Sequence, residues 1–367
     1  MPFNDIYRGK RALVTGHTGF KGSWLTAWLL KMGAEVCGFS NEVPTDPSLF
    51  EQAGLAGRID HRIGDIRDIA ALRAAVTEFQ PDIILHLAAQ AIVSKSYADP
   101  VDTIATNVMG TANLLQVLRE VERPIACVFV TSDKCYENVE WIWGYRETDH
   151  LGGRDVYSAS KAGAEVVFHA FQQSFFKAGD GPVKIATARA GNVIGGGDWS
   201  ADRIVADCVR AWLKDERVQI RSPRSTRPWQ HVLEPLSGYL LLGQELLEDA
   251  RSHGESFNFG PRAEQNRTVV ELLGSLGERW GLERADDAYD VVADVPFHEA
   301  GLLKLNCDKA LFHLKWEPNL TYDECVAFTG DWYRQTLKEG ADAEALTLAQ
   351  IDAYERLAAE RGRVWMA

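Results

Sequence analysis

Residues 11–22, RALVTGHTGFKG, decide the fold. RALVT is a short apolar, β-branched run and reads as a buried strand over 11–15. Gly16, Gly19 and Gly22 follow it, and an apolar stretch over 19–32 reads as a helix. Glycines at such a junction permit a tight turn and let backbone N–H groups approach a pyrophosphate at the helix N-terminus. A plain glycine turn is the alternative, but the strand before it and the helix after it favour a dinucleotide. No Lys-Ser/Thr pair follows Gly22, which excludes a Walker A loop.

Outward from this unit, strands are expected at 34–40, 82–88, 125–132 and 184–190, and helices at 69–79, 101–121 and 157–176. In the long helix Ile104, Val108, Leu115 and Leu118 recur at helical spacing. Regular alternation of this kind implies a parallel sheet with helices on both faces, doubly wound. After residue 190 the glycines at 195–197 break the pattern, and short irregular elements follow. Residues 236–247 are apolar enough to pack back on the sheet, so the domains interleave. The acid-rich 283–299 reads as a solvated connection, and 346–357 as a terminal helix. The expected organisation is an α/β dinucleotide-binding domain over 1–188 plus about 231–255, a smaller mixed α/β substrate lobe over 189–230 and 256–345, and a helical tail over 346–367.

Composition narrows the function. The chain has 367 residues with 39 Lys plus Arg against 52 Asp plus Glu, a net charge of −13. At 46% hydrophobic and 25% charged it is a globular chain, not a disordered one. The acidic balance argues against nucleic acid but leaves room for a phosphorylated small ligand. No apolar run reaches 18 residues and the first residues carry no signal-peptide core, so no membrane span is expected. Cysteines 37, 127, 135, 208, 307 and 325 are scattered without a CxxC pair, which suits reduced thiols in the cytoplasm and no metal.

Two further motifs carry chemistry. Tyr157 and Lys161 in YSASK share one helix face. A phenol with a free pKa of about 10 must be brought down by about 4 kcal/mol to act as a base near pH 7, and a nearby cation can do this. VTSDKCY, 130–136, ends a sheet strand with Ser132, Asp133 and Lys134, at the functional edge of such a sheet. Alone, a YxxxK pair or a polar strand end is commonplace. Arg221, Arg224 and Arg227, with Trp229 following, suit a diphosphate or else form a solvated basic turn. The second strand ends Gly38-Phe39-Ser40-Asn41-Glu42 with no Arg to neutralise a 2′-phosphate and no Asp for the ribose. That favours NAD, with Ser40 or Asn41 on the ribose.

In this order and at these separations, GxxGxxG, a strand-end Ser132 and YxxxK resemble the extended short-chain dehydrogenase/reductase family, with its Rossmann-like fold. Gly64-Asp65-Ile66 resembles its adenine-contacting turn, His86-Leu87-Ala88-Ala89 its cofactor-lining strand end, and Asn107 its helix-kink asparagine. GHTGFKGSW, TSDKCYEN, WIWGYRE, ARAGNVIGGGDW, TRPWQHVLEPLSGYLLL and LTLAQIDAY are similar to the sugar-nucleotide 4,6-dehydratases of the CDP-glucose branch, over nearly the whole chain.

The resemblance implies NAD held by Gly16, Thr18, Gly19, Phe20 and Gly22, with Ser40, Asp65 and Ile66 at the adenosine end. Leu87, Ala88, Ala89, Asn107, Tyr157 and Lys161 complete the cofactor contacts. It implies oxidation at C4 of CDP-glucose, loss of water across C5–C6 and return of the hydride to C6, giving a 4-keto-6-deoxy sugar nucleotide for deoxysugar and lipopolysaccharide synthesis. Tyr157 would remove the 4-hydroxyl proton. Lys161 would hold the nicotinamide ribose and lower the Tyr157 pKa. Ser132 would bond the 4-oxygen, and a protonated Asp133 would serve the departing 6-hydroxyl. Other sugar-nucleotide 4,6-dehydratases carry Asp-Glu at the strand end, with Glu as the C5 base. Here the pair is Asp133-Lys134, so the C5 base is left between Lys134, Tyr157, Glu137 and a water. By family position Asn192, Arg203, Arg227, Asn258 and Lys304 would bind substrate, with His298-Glu299 in the same wall. Helices 101–121 and 157–176 would pair across a two-fold axis into a homodimer or a dimer of dimers. A 4-epimerase would keep Ser132, Tyr157 and Lys161 but has no use for Asp133. A dehydratase for another sugar nucleotide is a second alternative. A non-catalytic nucleotide sensor would typically lose the Tyr–Lys pair.

Overall fold

Seven runs of the chain pair into one sheet in the computed structural model, which describes residues 1–177, 181–262, 264–284, 287–292 and 301–367. They are β1 (Arg11–Thr15), β2 (Glu35–Ser40), β3 (Asp60–Ile63), β4 (Ile83–His86), β5 (Ile125–Val130), β6 (Val183–Ala190) and β7 (Ser256–Phe259). Their order is β7-β6-β5-β4-β1-β2-β3 and every pairing is parallel. The order reverses at β1, which lies between β2 and β4, so a crevice opens at the strand C-termini there.

Both faces of the sheet are covered, as parallel strands require. Helices Ile69–Phe79, 100–118 and Val156–Phe171 bury Leu72, Leu114, Leu118 and Phe168 on one face. Helices Phe20–Lys31, Leu233–Glu248 and Ala343–Glu360 bury Trp24, Trp28, Leu236 and Ile351 on the other. Full burial of each large apolar side chain contributes about 1.5–3 kcal/mol. Asp99 and Asp155 cap the helices at 100 and 156, accepting from Asp102 N at 3.0 Å and Ser158 N at 2.9 Å.

Four differences from the sequence reading have physical causes. β3 (DHRI) reads as polar because it is the edge strand, paired only to β2. Residues 256–259 belong to the main sheet and not to the lobe: Phe257 and Phe259 are buried and Ser256 pairs with Thr187. Residues 346–367 are no tail. Glu355 accepts from Trp28 Nε1 at 2.8 Å and Lys31 Nζ at 2.6 Å, and Trp365 stacks on Phe3 and Tyr354. The solvated connection contains a strand, Tyr289–Val291, paired with Val218–Ile220.

The rest of the lobe is small. Val193–Ile194 pairs with Gln230–His231 and Thr226–Pro228 with Asn266–Thr268, beside helices Ile204–Trp212, Val269–Trp280 and Tyr322–Lys338. Among the described residues no helix is long and apolar enough to cross a membrane. All six cysteines are free thiols.

Candidate active site

A cleft of about 1010 Å3 lies at the switch point. The Gly16 loop, the ends of β2, β4 and β5, the start of helix Val156–Phe171 and part of 190–203 wall it. That is at the upper end of the range for a ligand cleft.

The cofactor side is made of backbone. Gly16 has φ +75°, and a Cβ there would stand 2.7 Å from Ala88 N. At Gly22 a Cβ would stand 2.1 Å from the Gly16 carbonyl oxygen. Helix Phe20–Lys31 begins without a side-chain cap, and its first residues line the cleft. A glycine cradle against an uncapped helix N-terminus fits a pyrophosphate. Thr18, Gly19, Phe20, Ser40, Asp65, Ile66, Leu87, Ala88 and Ala89 all line the same cleft. The Ser40 hydroxyl is 2.8 Å from His17 Nδ1, and His17 Nε2 is 2.7 Å from His61 Nδ1. Burial and His61 push the His17 imidazole down to about 4. Arg67, beside this end, is held by Asp65 and Asp102.

Asn107 is the exception. It sits on the π turn Ala105–Met109 that interrupts helix 100–118, behind the cleft wall. Its amide accepts from Gln90 N at 2.8 Å and donates to Gln90 O at 3.0 Å and Ser160 Oγ at 2.8 Å. It fixes the segment after β4 to the helix of Tyr157 and touches no cofactor space.

At the other end, Ser132, Asp133, Lys134, Tyr157 and Lys161 converge on the cleft. Ser132 caps the 3-10 turn Asp133–Cys135, accepting from Lys134 N at 3.2 Å and donating to Asp133 Oδ1 at 2.9 Å. Burial pushes the Asp133 carboxyl above its usual range against the pull of Lys134, Ser132, Arg227 and Lys21. Burial also raises the Tyr157 phenol, and the largest opposing pull is Arg203, followed by the hydrogen bond with Ser132. Arg203 thus favours the phenolate of Tyr157. Burial lowers Lys161 to about 8, against Cys135 and Glu165. Lys21 falls to about 8 through burial, Arg203 and Lys161.

The substrate candidates divide. Asn192 and Arg203 line the cleft, Arg203 donating to Ala91 O at 3.2 Å. Arg227 is buried and acts on Asp133, whereas Arg221 and Arg224 are exposed. Lys304 lines a separate small recess with Gln230, Arg262 and Asn266. Asn258 is fully buried, donating to Tyr145 O at 2.9 Å and Asn306 O at 3.1 Å, so it braces the lobe and does not meet substrate. Glu137 is exposed and outside the cleft wall. His298 and Glu299 lie outside the described residues. Lys21 and Asp198 also line the cleft, unassigned by the sequence reading. The cation inside GHTGFKG was the available signal for Lys21.

The chain is similar to known proteins over nearly its whole length. The family model described as GDP-mannose 4,6 dehydratase matches residues 13–329. The CDP-glucose 4,6-dehydratase of Salmonella typhimurium is 45% identical over 354 residues, covering 95% of this chain and 97% of that protein. The dTDP-glucose 4,6-dehydratase of Streptomyces venezuelae, solved with NAD, is 25% identical with a TM-score of 0.76, covering 90% and 98%. The UDP-glucose 4-epimerase of Thermotoga maritima reaches the same TM-score at 23% identity, covering 89% and 99%, and shares the fold.

Proposed function

Given that the chain belongs to the family described as GDP-mannose 4,6 dehydratase, we propose that it converts CDP-glucose to CDP-4-dehydro-6-deoxyglucose and water, using NAD. The observation that carries this reading is the buried Asp133 carboxyl, held toward its protonated form in the same cleft as Tyr157 and Lys161. A 4-epimerase needs no acid at C6.

The loop of Gly16, Gly19 and Gly22 would hold NAD, which would supply the hydride acceptor for C4 and the hydride donor for C6. The chain's own residues handle protons. Tyr157 takes the 4-hydroxyl proton, with Arg203 favouring the phenolate and Ser132 orienting the 4-oxygen. Asp133, pushed toward its protonated form by burial, is placed to deliver a proton to the departing 6-hydroxyl. Lys134, on the same turn, stands in the cleft to accept the C5 proton or to stabilise the enolate. Arg203 and Asn192, which line the cleft, and the buried Arg227 are the side chains offered to the diphosphate.

The test is incubation with CDP-glucose. A 4-keto-6-deoxy product supports the dehydratase, CDP-galactose the epimerase, and no turnover a sensor. C5 solvent-deuterium exchange separates the two roles of Lys134. Exchange lost in Lys134→Met but kept in Asp133→Asn makes Lys134 the base, and exchange surviving in Lys134→Met rules that role out.

Part of the same proposal is self-association. Val101, Ile104, Met109, Val166 and Phe175 leave apolar surface exposed on helices 100–118 and 156–176, which suits a homodimer or dimer of dimers. Sedimentation measures it. A cytoplasmic role in deoxysugar and lipopolysaccharide synthesis completes the reading, and loss of the deoxysugar from a strain lacking the protein would support it.

A further inference from the structure

Directly behind the reacting groups lies an ion pair with both side chains fully buried. Glu165 follows Lys161 by one turn and Tyr157 by two, on the same helix face. Its carboxylate accepts from Arg189 Nη2 at 2.7 Å, from Thr187 Oγ1 at 3.0 Å and from Thr131 Oγ1. Arg189 donates its other branch to the Tyr136 hydroxyl at 2.8 Å, and that hydroxyl donates to Asn258 Oδ1 at 2.7 Å. Thr131 and Tyr136 stand immediately before and after the stretch 132–135. The turn that carries Ser132, Asp133 and Lys134 is therefore pinned at both ends by one ion pair.

Stability alone gives little reason for such a pair, because apolar side chains of similar volume often serve as well. Geometry gives a better one. Proton transfer needs heavy atoms about 2.6–3.2 Å apart, and a 1 Å misplacement can cost about 100-fold in rate. We propose that Glu165, Arg189 and Tyr136 are positioning residues, setting the spacing between the 132–135 turn and the helix face that bears Tyr157 and Lys161. The proposal rests on the assignment of Ser132, Asp133 and Tyr157 to the reaction.

Glu165 also bears on the charge of Lys161. The groups facing Lys161 are Glu165 on its own helix, Cys135 on the turn, Lys21 on the glycine loop and His86 at the end of β4. Burial keeps the Cys135 thiol protonated and the His86 imidazole neutral, and Lys21 repels. Burial raises the Glu165 carboxyl too, but Arg189 and Thr131 outweigh it and keep it ionised. Glu165 is thus the fixed negative charge within this set. Removing it lowers the Lys161 value further, so a rate that needs cationic Lys161 is lost at lower pH.

Steady-state kinetics on the whole enzyme with CDP-glucose and NAD test this. Tyr136→Phe keeps the ring and the ion pair and deletes one hydroxyl. Its kcat should fall about tenfold or more with KM for CDP-glucose within about twofold. Glu165→Gln should move the alkaline limb of the kcat profile down by about one pH unit, and Glu165→Asp, which keeps the charge, should restore the limb. Wild-type kcat in Tyr136→Phe would overturn the proposal. So would a loss that disappears when rates are divided by the titrated fraction of active sites, or an unmoved limb in a folded Glu165→Gln. If Glu165→Gln does not fold, Tyr136→Phe decides alone. Normal turnover by Tyr157→Phe would instead sink the underlying site assignment.

Discussion

On the cofactor side of the cleft the glycine loop presents main chain, folded so tightly at Gly16 and Gly22 that no side chain fits. On the substrate side the wall is side chains, Asn192 and Arg203 on the cleft and Arg227 behind Asp133, carried near paired strands of two or three residues. The first wall is fixed by the same packing that holds the sheet, so shape selects its ligand. The second presents polar and charged side chains, so charge must select its ligand. Substitutions on the first side should therefore cost stability together with binding, and those on the second should cost binding alone.

The largest effect tests where the two walls meet. Tyr157→Phe should lower turnover by about 10²–10⁴-fold while both ligands still bind, measured by stopped-flow absorbance of reduced nicotinamide. Near-normal turnover would place the base elsewhere. Arg227→Ala should weaken CDP binding by about 1.5–3 kcal/mol in calorimetry and leave NAD binding alone. Equal losses for both ligands would erase the contrast between the walls.

Gly22→Ala should lower stability by about 1–3 kcal/mol in denaturant titration, and NAD affinity with it, because the new methyl meets the Gly16 carbonyl. NAD should bind more tightly than NADP by about 1.4 kcal/mol or more, since Arg67 is already held by Asp65 and Asp102. Equal affinities would mean that another cation reads the 2′ position.

The smallest effect is on stability against pH. The folded-state value of Asp133 lies above its unfolded one. Between the two, the folded chain holds a proton that the unfolded chain has shed, so this group's contribution falls as pH rises through that window. Asp133→Asn should remove that fall, giving a folded chain that gains on the parent as pH rises above about 4. Thermal melts at several pH values measure it, and parallel curves would show that Asp133 does not titrate in the window.

Legibility in the sequence followed burial. β1, β2, β4, β5 and β6 are apolar runs within the sheet and could be read directly. β3 could not, because an edge strand bears His61 and Arg62 as readily as a loop does. The π turn at 105–109 keeps the apolar spacing of an ordinary helix, so periodicity misses it and only the family resemblance at Asn107 points to a kink there. The reacting groups could be read because Ser132, Asp133, Tyr157 and Lys161 lie in two short motifs. Asn258 misled: its chain position suits a substrate contact, but parallel pairing with Arg189 turns it into the brace between Tyr136 and the lobe. Such distant partners leave no local pattern.

Helix Leu233–Glu248 packs beneath β4, β5 and β6, and β7 then closes the sheet, both coming after the first stretch of the lobe. Anyone wishing to transplant nucleotide preference between relatives must therefore cut at several junctions, near residues 190, 230 and 260, and rejoin each. A single-crossover chimera would inherit a sheet edge from one parent and the helix supporting it from the other, mismatched at Arg189 and Asn258.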